Sequence, residues 1–72
     1  MPDLRDILVK EFKKHDRPFI ILHIMKESPK LFYNRYIITA RDIDKIANQF
    51  GEKTKIAISA APFGLVKEWI TL

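Results

Sequence analysis

His15 and His23 are the two imidazoles of this 72-residue chain, and neither stands where an imidazole does chemistry. Neither belongs to a set of ligand partners at metal spacing. The serines, Ser28 and Ser59, have no histidine at a spacing that makes a nucleophile and its base. Gly51 and Gly64 are the whole glycine complement, too few for a phosphate-cradling loop, and there is no cysteine to hold a metal or a disulfide. His23, inside the apolar run "FIILHIM", reads as a core histidine with one hydrogen bond. These residues predict no catalysis, no cofactor and no metal. Charge is more informative. Thirteen lysines and arginines against nine acids give a net charge of +4 and a pI near 9.6, which favours polyanionic partners.

The elements that would position those charges come next. Seventy-two residues make one domain, residues 1–72, and a core this small retains only about 3–5 kcal/mol of net stability. A second subunit would add to that. No apolar run approaches the length of a membrane span, and Asp3, Asp6 and Glu11 break up any leader-like amino terminus, so the expected location is cytoplasmic. "DLRDILVKEFKKH" predicts a helix: Asp3 caps it, and Leu4, Ile7, Leu8 and Phe12 form one stripe. Lys13, Lys14 and His15 crowd its carboxyl end, where the dipole favours positive charge. "DRPFIILHIMKES" predicts a second, deeply buried helix that opens at Asp16 and Pro18. A buried strand is its competitor, because β-branched residues are frequent and the run is apolar all round. Residues 28–35 read as a connection whose aromatics, Phe32 and Tyr33, cover a core edge, stack on bases or fill a partner's pocket. "RYIIT" reads as a very short strand. "TARDIDKIANQFG" predicts a helix with Thr39 and Asp42 as a capping box and Gly51 as its left-handed stop. The last twenty residues admit two readings. One is a helix capped by Thr54 and interrupted at Pro62. In the other, "TKIAIS" and "LVKEWITL" are strands around an "APFG" turn.

Taken in order, "PFIILHIMKES", "YIITARDIDKIANQFG" and "LVKEWITL" resemble a winged-helix (helix-turn-helix) DNA-binding domain of the small archaeal and bacterial transcription regulators. The resemblance covers residues 18–72 and leaves the first helix as an extension. Ala47 would be the small residue at the crossing of two helices and Gly51 the turn. The fold so implied is mainly α, a three-helix core with an additional amino-terminal helix and a truncated wing. The resemblance implies double-stranded DNA binding by a homodimeric transcriptional regulator or nucleoid-associated factor. Lys53, Thr54, Lys55 and Ser59 would then face the major groove, with Arg41 and Lys45 on the phosphate backbone. Each has a simpler role as well. The lysines suit solvated turn positions, Thr54 a helix cap, Ser59 a hydroxyl bonded back along a helix, and Arg41 an ion pair.

The apolar content of the last third supports a second hypothesis. Ile56, Ile58, Phe63, Leu65, Val66, Trp69 and Ile70 exceed what one short helix pair can bury, which points to a protein-interaction or oligomerisation module. On that reading the fold is α+β with a carboxyl-terminal β-hairpin. A homodimer would form through the first helix and the exposed apolar residues near the carboxyl end.

Overall fold

The computed structural model describes residues 3–27, 29–60 and 66–72. Helix α1 spans Leu4–His15 and strands β1 and β2 span Ile20–Glu27 and Leu31–Ile38. A 3-10 turn, Ala40–Asp42, runs into the short helix α2, Ile43–Ala47, and is followed by strands β3, Lys55–Ser59, and β4, Ile70–Thr71. The strands form one antiparallel sheet in the order β2-β1-β3-β4. The class is α+β, and the mainly α winged-helix expectation is overturned: the segments expected as the first core helix and the reading helix are β1 and β3.

The reasons are local. Ile20, Ile21, Leu22, His23 and Ile24 are all buried, so β1 packs on both faces and shows no alternation of apolar and polar residues. A run apolar on every side satisfies a central strand as well as a buried helix, and the β-branched Ile20, Ile21 and Ile24 favour the strand. Pro18 accordingly precedes a strand instead of opening a helix. Phe32 and Tyr33 lie within β2, not in a loop, and the expected short strand begins four residues earlier, at Leu31.

The capping box is present. Asp42 accepts hydrogen bonds from the Thr39 backbone N–H at 2.9 Å and from the Thr39 hydroxyl at 3.2 Å, and these hold its carboxyl below its ordinary pKa. The helix it starts is only five residues long, and Gly51 does not end it in the left-handed region. Lys53 takes that conformation instead, with φ of 67°, turning the chain into β3 where the sequence suggested the corner between two helices. β3 and β4 do pair antiparallel, Ile56 opposite Ile70. The expected "APFG" turn, residues 61–64, lies outside those described.

One face of the sheet carries the core. Ile20, Leu22 and Ile24 of β1, Ile38 of β2 and Ile56 of β3 meet Leu4 and Leu8 of α1 and Ile43 and Ile46 of α2. Asp3 caps α1 by accepting from the Arg5 N–H at 3.2 Å, and Arg5 pairs with Asp44 of α2 at 2.8 Å. That ion pair is exposed and adds little. The carboxyl end is stitched in: the Lys53 N–H donates to the Leu72 carbonyl at 3.2 Å and the Leu72 N–H to the Thr54 carbonyl at 2.9 Å. No helix among the described residues is long and apolar enough to cross a membrane.

Candidate functional site

Residues 53–55 and 59 do not form a reading face. Thr54 is fully buried, and its hydroxyl has no hydrogen-bond partner among the described residues. Ser59 is buried at the end of β3 opposite Ile21. Arg41 and Lys45 are exposed on the 3-10 turn and α2, and Lys53 and Lys55 are exposed just before β3 and at its first residue. The structure thus brings the four cations to the surface in two pairs on different elements. Lys53 and Lys55 line a shallow cavity of about 90 Å³ with Met25, Glu27 and Leu31. The helix that carries Lys45, α2, has five residues, too short to lie along a major groove as a recognition helix.

The first helix spends its apolar stripe internally. Leu4 and Leu8 are buried in the core, with Ile7, Val9 and Phe12 packed against it. Near the carboxyl end, Ile56 and Leu72 are buried and only Ile70 is an exposed large apolar residue among those described. Phe63 and Leu65 lie outside the described residues.

The uncovered apolar surface is on β2. Leu31 is 68% exposed and Ile37 72%, and Phe32 and Tyr33 are also exposed. β2 is an outer strand of the sheet, so among the described residues its eight residues present one side of their backbone to no neighbouring strand. Sheet edges are normally blunted by shortness, proline, bulges or charge, because bare backbone N–H and C=O groups template pairing with another chain. The opposite edge follows that rule, with a β4 of two residues. β2 does not: between Leu31 and Ile38 it pairs with β1 without a bulge, holds no proline and carries one charge, Arg35.

Side chains alternate along this edge. Phe32, Asn34 and Tyr36 share the helix-covered face, where the Asn34 amide donates to the Tyr36 hydroxyl at 3.4 Å and the Tyr36 ring lies 6.1 Å from that of Phe50. Leu31, Tyr33, Arg35 and Ile37 share the second face, opposite Glu27, Met25, His23 and Ile21 of β1. Tyr33 anchors this side of the edge. Its hydroxyl is 2.7 Å from Nδ1 of buried His23, and the Trp69 ring reaches it edge-on at 6.1 Å from the β4 side of the sheet. The aromatic exposed on the edge is therefore held in one orientation from behind.

His23 has the single hydrogen bond expected of a core histidine; its Nε2 is buried without a partner among the described residues. Burial penalises the imidazolium and neighbouring Arg35 repels it, so its pKa falls below the ordinary 6.5. A neutral folded histidine and a protonatable unfolded one mean that the unfolded state binds more protons on the acid side. The stability this contributes is complete above about pH 6.5 and is lost as pH falls below it. Urea unfolding at pH 7.5 and 5.5 should show a decrease in wild type that is smaller in His23→Phe. An imidazole titrating at or above 6.5 by NMR would contradict this environment.

Among the described residues no group of three histidines, aspartates or glutamates could hold a metal ion. Compared with family models, curated proteins and solved structures, the chain matches none of them.

Proposed function

We propose that this protein is an interaction module whose working surface is the β2 edge, and that it binds by accepting an extended strand. The observation that carries the reading is an eight-residue, unblunted outer strand with Leu31 and Ile37 largely exposed. Strand addition draws affinity from main-chain hydrogen bonds and specificity from alternate side chains. β2 supplies both: bare backbone groups, and apolar or aromatic side chains on each face. Duplex DNA binding is supported by the charge of +4 and by exposed Arg41, Lys45, Lys53 and Lys55, but those four cations are dispersed over several elements. The edge is one continuous surface and is the better supported of the two.

Selection of random displayed peptides against the immobilised protein tests the reading. Selected peptides should alternate apolar and polar residues, shift the β2 amide resonances, and lose binding to Leu31→Lys/Ile37→Lys. Peptides that shift another surface, or that bind the double variant equally well, would refute strand addition.

A further inference from the structure

We infer that the strand added at β2 is the β2 of a second copy, paired antiparallel about a two-fold axis through Asn34. The inference rests on reading β2 as the working edge and adds the partner and the register. A two-fold axis perpendicular to a sheet returns each face to the same side, so only residues of the same face stand opposite one another across the new junction. In chain order β2 reads Leu-Phe-Tyr-Asn-Arg-Tyr-Ile from Leu31 to Ile37. Folded about its middle residue, that string sets apolar against apolar, aromatic against aromatic, ring against guanidinium and amide against amide.

Leu31 then faces Ile37 of the partner subunit, joining the two most exposed apolar side chains of the edge twice over. Phe32 faces Tyr36 of the partner subunit on the helix-covered side, an aromatic cross-strand pair. Tyr33 faces Arg35 of the partner subunit, placing a guanidinium against a ring that His23 and Trp69 already hold in position. Asn34 faces Asn34 of the partner subunit, where each amide has both a donor and an acceptor to offer.

Neighbouring registers are worse for stated reasons. An axis through Arg35 sets two guanidiniums directly opposite, and like charges there are destabilising. An axis through Tyr33 sets Arg35 against Leu31 and carries Ile37 to Pro29, which has no N–H to give the ladder. The Asn34 axis uses all seven residues and leaves no like-charged pair. Its product is an eight-stranded sheet with the helices of both copies on one side.

The chain has no cysteine, so single introduced thiols report the register cleanly. Directly opposed antiparallel residues have Cα atoms about 4.5–5.5 Å apart, within disulfide reach, whereas a two-residue offset exceeds the limit of about 7 Å. Sedimentation at about 100 µM should give a dimer, and Leu31→Lys/Ile37→Lys should weaken association at least about 100-fold. Under mild oxidation Asn34→Cys should form a covalent dimer. Tyr33→Cys and Arg35→Cys should not do so singly, but should cross-link when mixed. Isotope-filtered NMR on a mixed-label wild-type sample should show methyl contacts between Leu31 and Ile37 across the dimer, which keeps the test open if a cysteine variant does not fold.

A monomer at that concentration whose β2 still takes selected peptides would overturn self-pairing and leave the edge reading intact. A dimer that cross-links best through Arg35→Cys or Tyr33→Cys alone would overturn the register. A dimer indifferent to the two lysines would overturn self-pairing at β2, and peptides bound equally well by that double variant would overturn the edge reading as well.

Discussion

Removal of residues 1–15 should leave a chain that no longer folds. The resemblance to a winged-helix domain left this segment as an extension, but Leu4 and Leu8 are 3% and 0% exposed and sit over the same sheet face as Ile20, Leu22 and Ile24. Each buried leucine contributes about 1.5–3 kcal/mol, and its loss also returns the strand residues beneath it to water. Against a reserve of about 3–5 kcal/mol for a domain of this size, that loss is decisive. The truncated chain should show an unfolded far-UV circular dichroism spectrum and collapsed amide dispersion. A cooperative thermal transition in the truncated protein would mean that α1 is an accessory element, and the account of the core given above would be wrong.

Leu22→Ala should destabilise the chain by about 2–5 kcal/mol, while Ile37→Ala should change the stability of the monomer by no more than about 0.5 kcal/mol. Both are apolar residues on adjacent, paired strands, and composition does not distinguish them. Leu22 is fully enclosed between α1, α2 and the sheet, so shortening it leaves a cavity as well as losing transfer free energy. Ile37 is 72% exposed on the outer strand and has little burial to lose. Chemical denaturation of both variants at low protein concentration makes the comparison. The contrast is the signature of a residue placed for a partner: Ile37→Ala should cost association, not folding. Equal destabilisation by the two substitutions would show that the β2 edge is already covered within one chain.

The parts of this fold that were legible in sequence are those whose signals are local. Asp3 and the leucine stripe announce α1, with its bounds nearly to the residue, and Thr39 with Asp42 announces where the next helical segment starts, though not that it is a 3-10 turn and a five-residue helix ending short of Gly51. Each is set by groups within four positions of one another. β1 was ambiguous because burial on both faces removes the alternation that marks a strand. β3 is equally ambiguous in sequence, because Thr54 suits a helix cap as well as the entry to a strand. In the folded chain Thr54 is instead inside, joined through its carbonyl to the Leu72 N–H, a contact eighteen positions away. The candidate site was harder still. Whether Leu31 and Ile37 are core or surface depends on β2 being outermost, and strand order is a property of the whole sheet. Phe32 and Tyr33 suit a partner's pocket by type, but nothing in "LFYNRYII" shows that one of its sides is unoccupied. Thr54 and Ser59 failed as site residues for the converse reason, being polar by type and enclosed by topology.

The central position of β1 also orders events in time. Its pairing with β2 is a hairpin closed by three residues between Glu27 and Leu31, whereas its pairing with β3 joins Met25 to Lys55 across thirty positions of chain. Short loops close within microseconds or less, and the entropic cost of closure rises with length, so the hairpin is expected to form before β3 docks. During that interval both flanks of the β1–β2 ribbon are bare. Once β3 arrives it covers β1 from Ile21 to Met25, and the long bare edge that remains among the described residues is that of β2. The nascent ribbon can therefore take a stray strand along either side, and the folded sheet chiefly along β2.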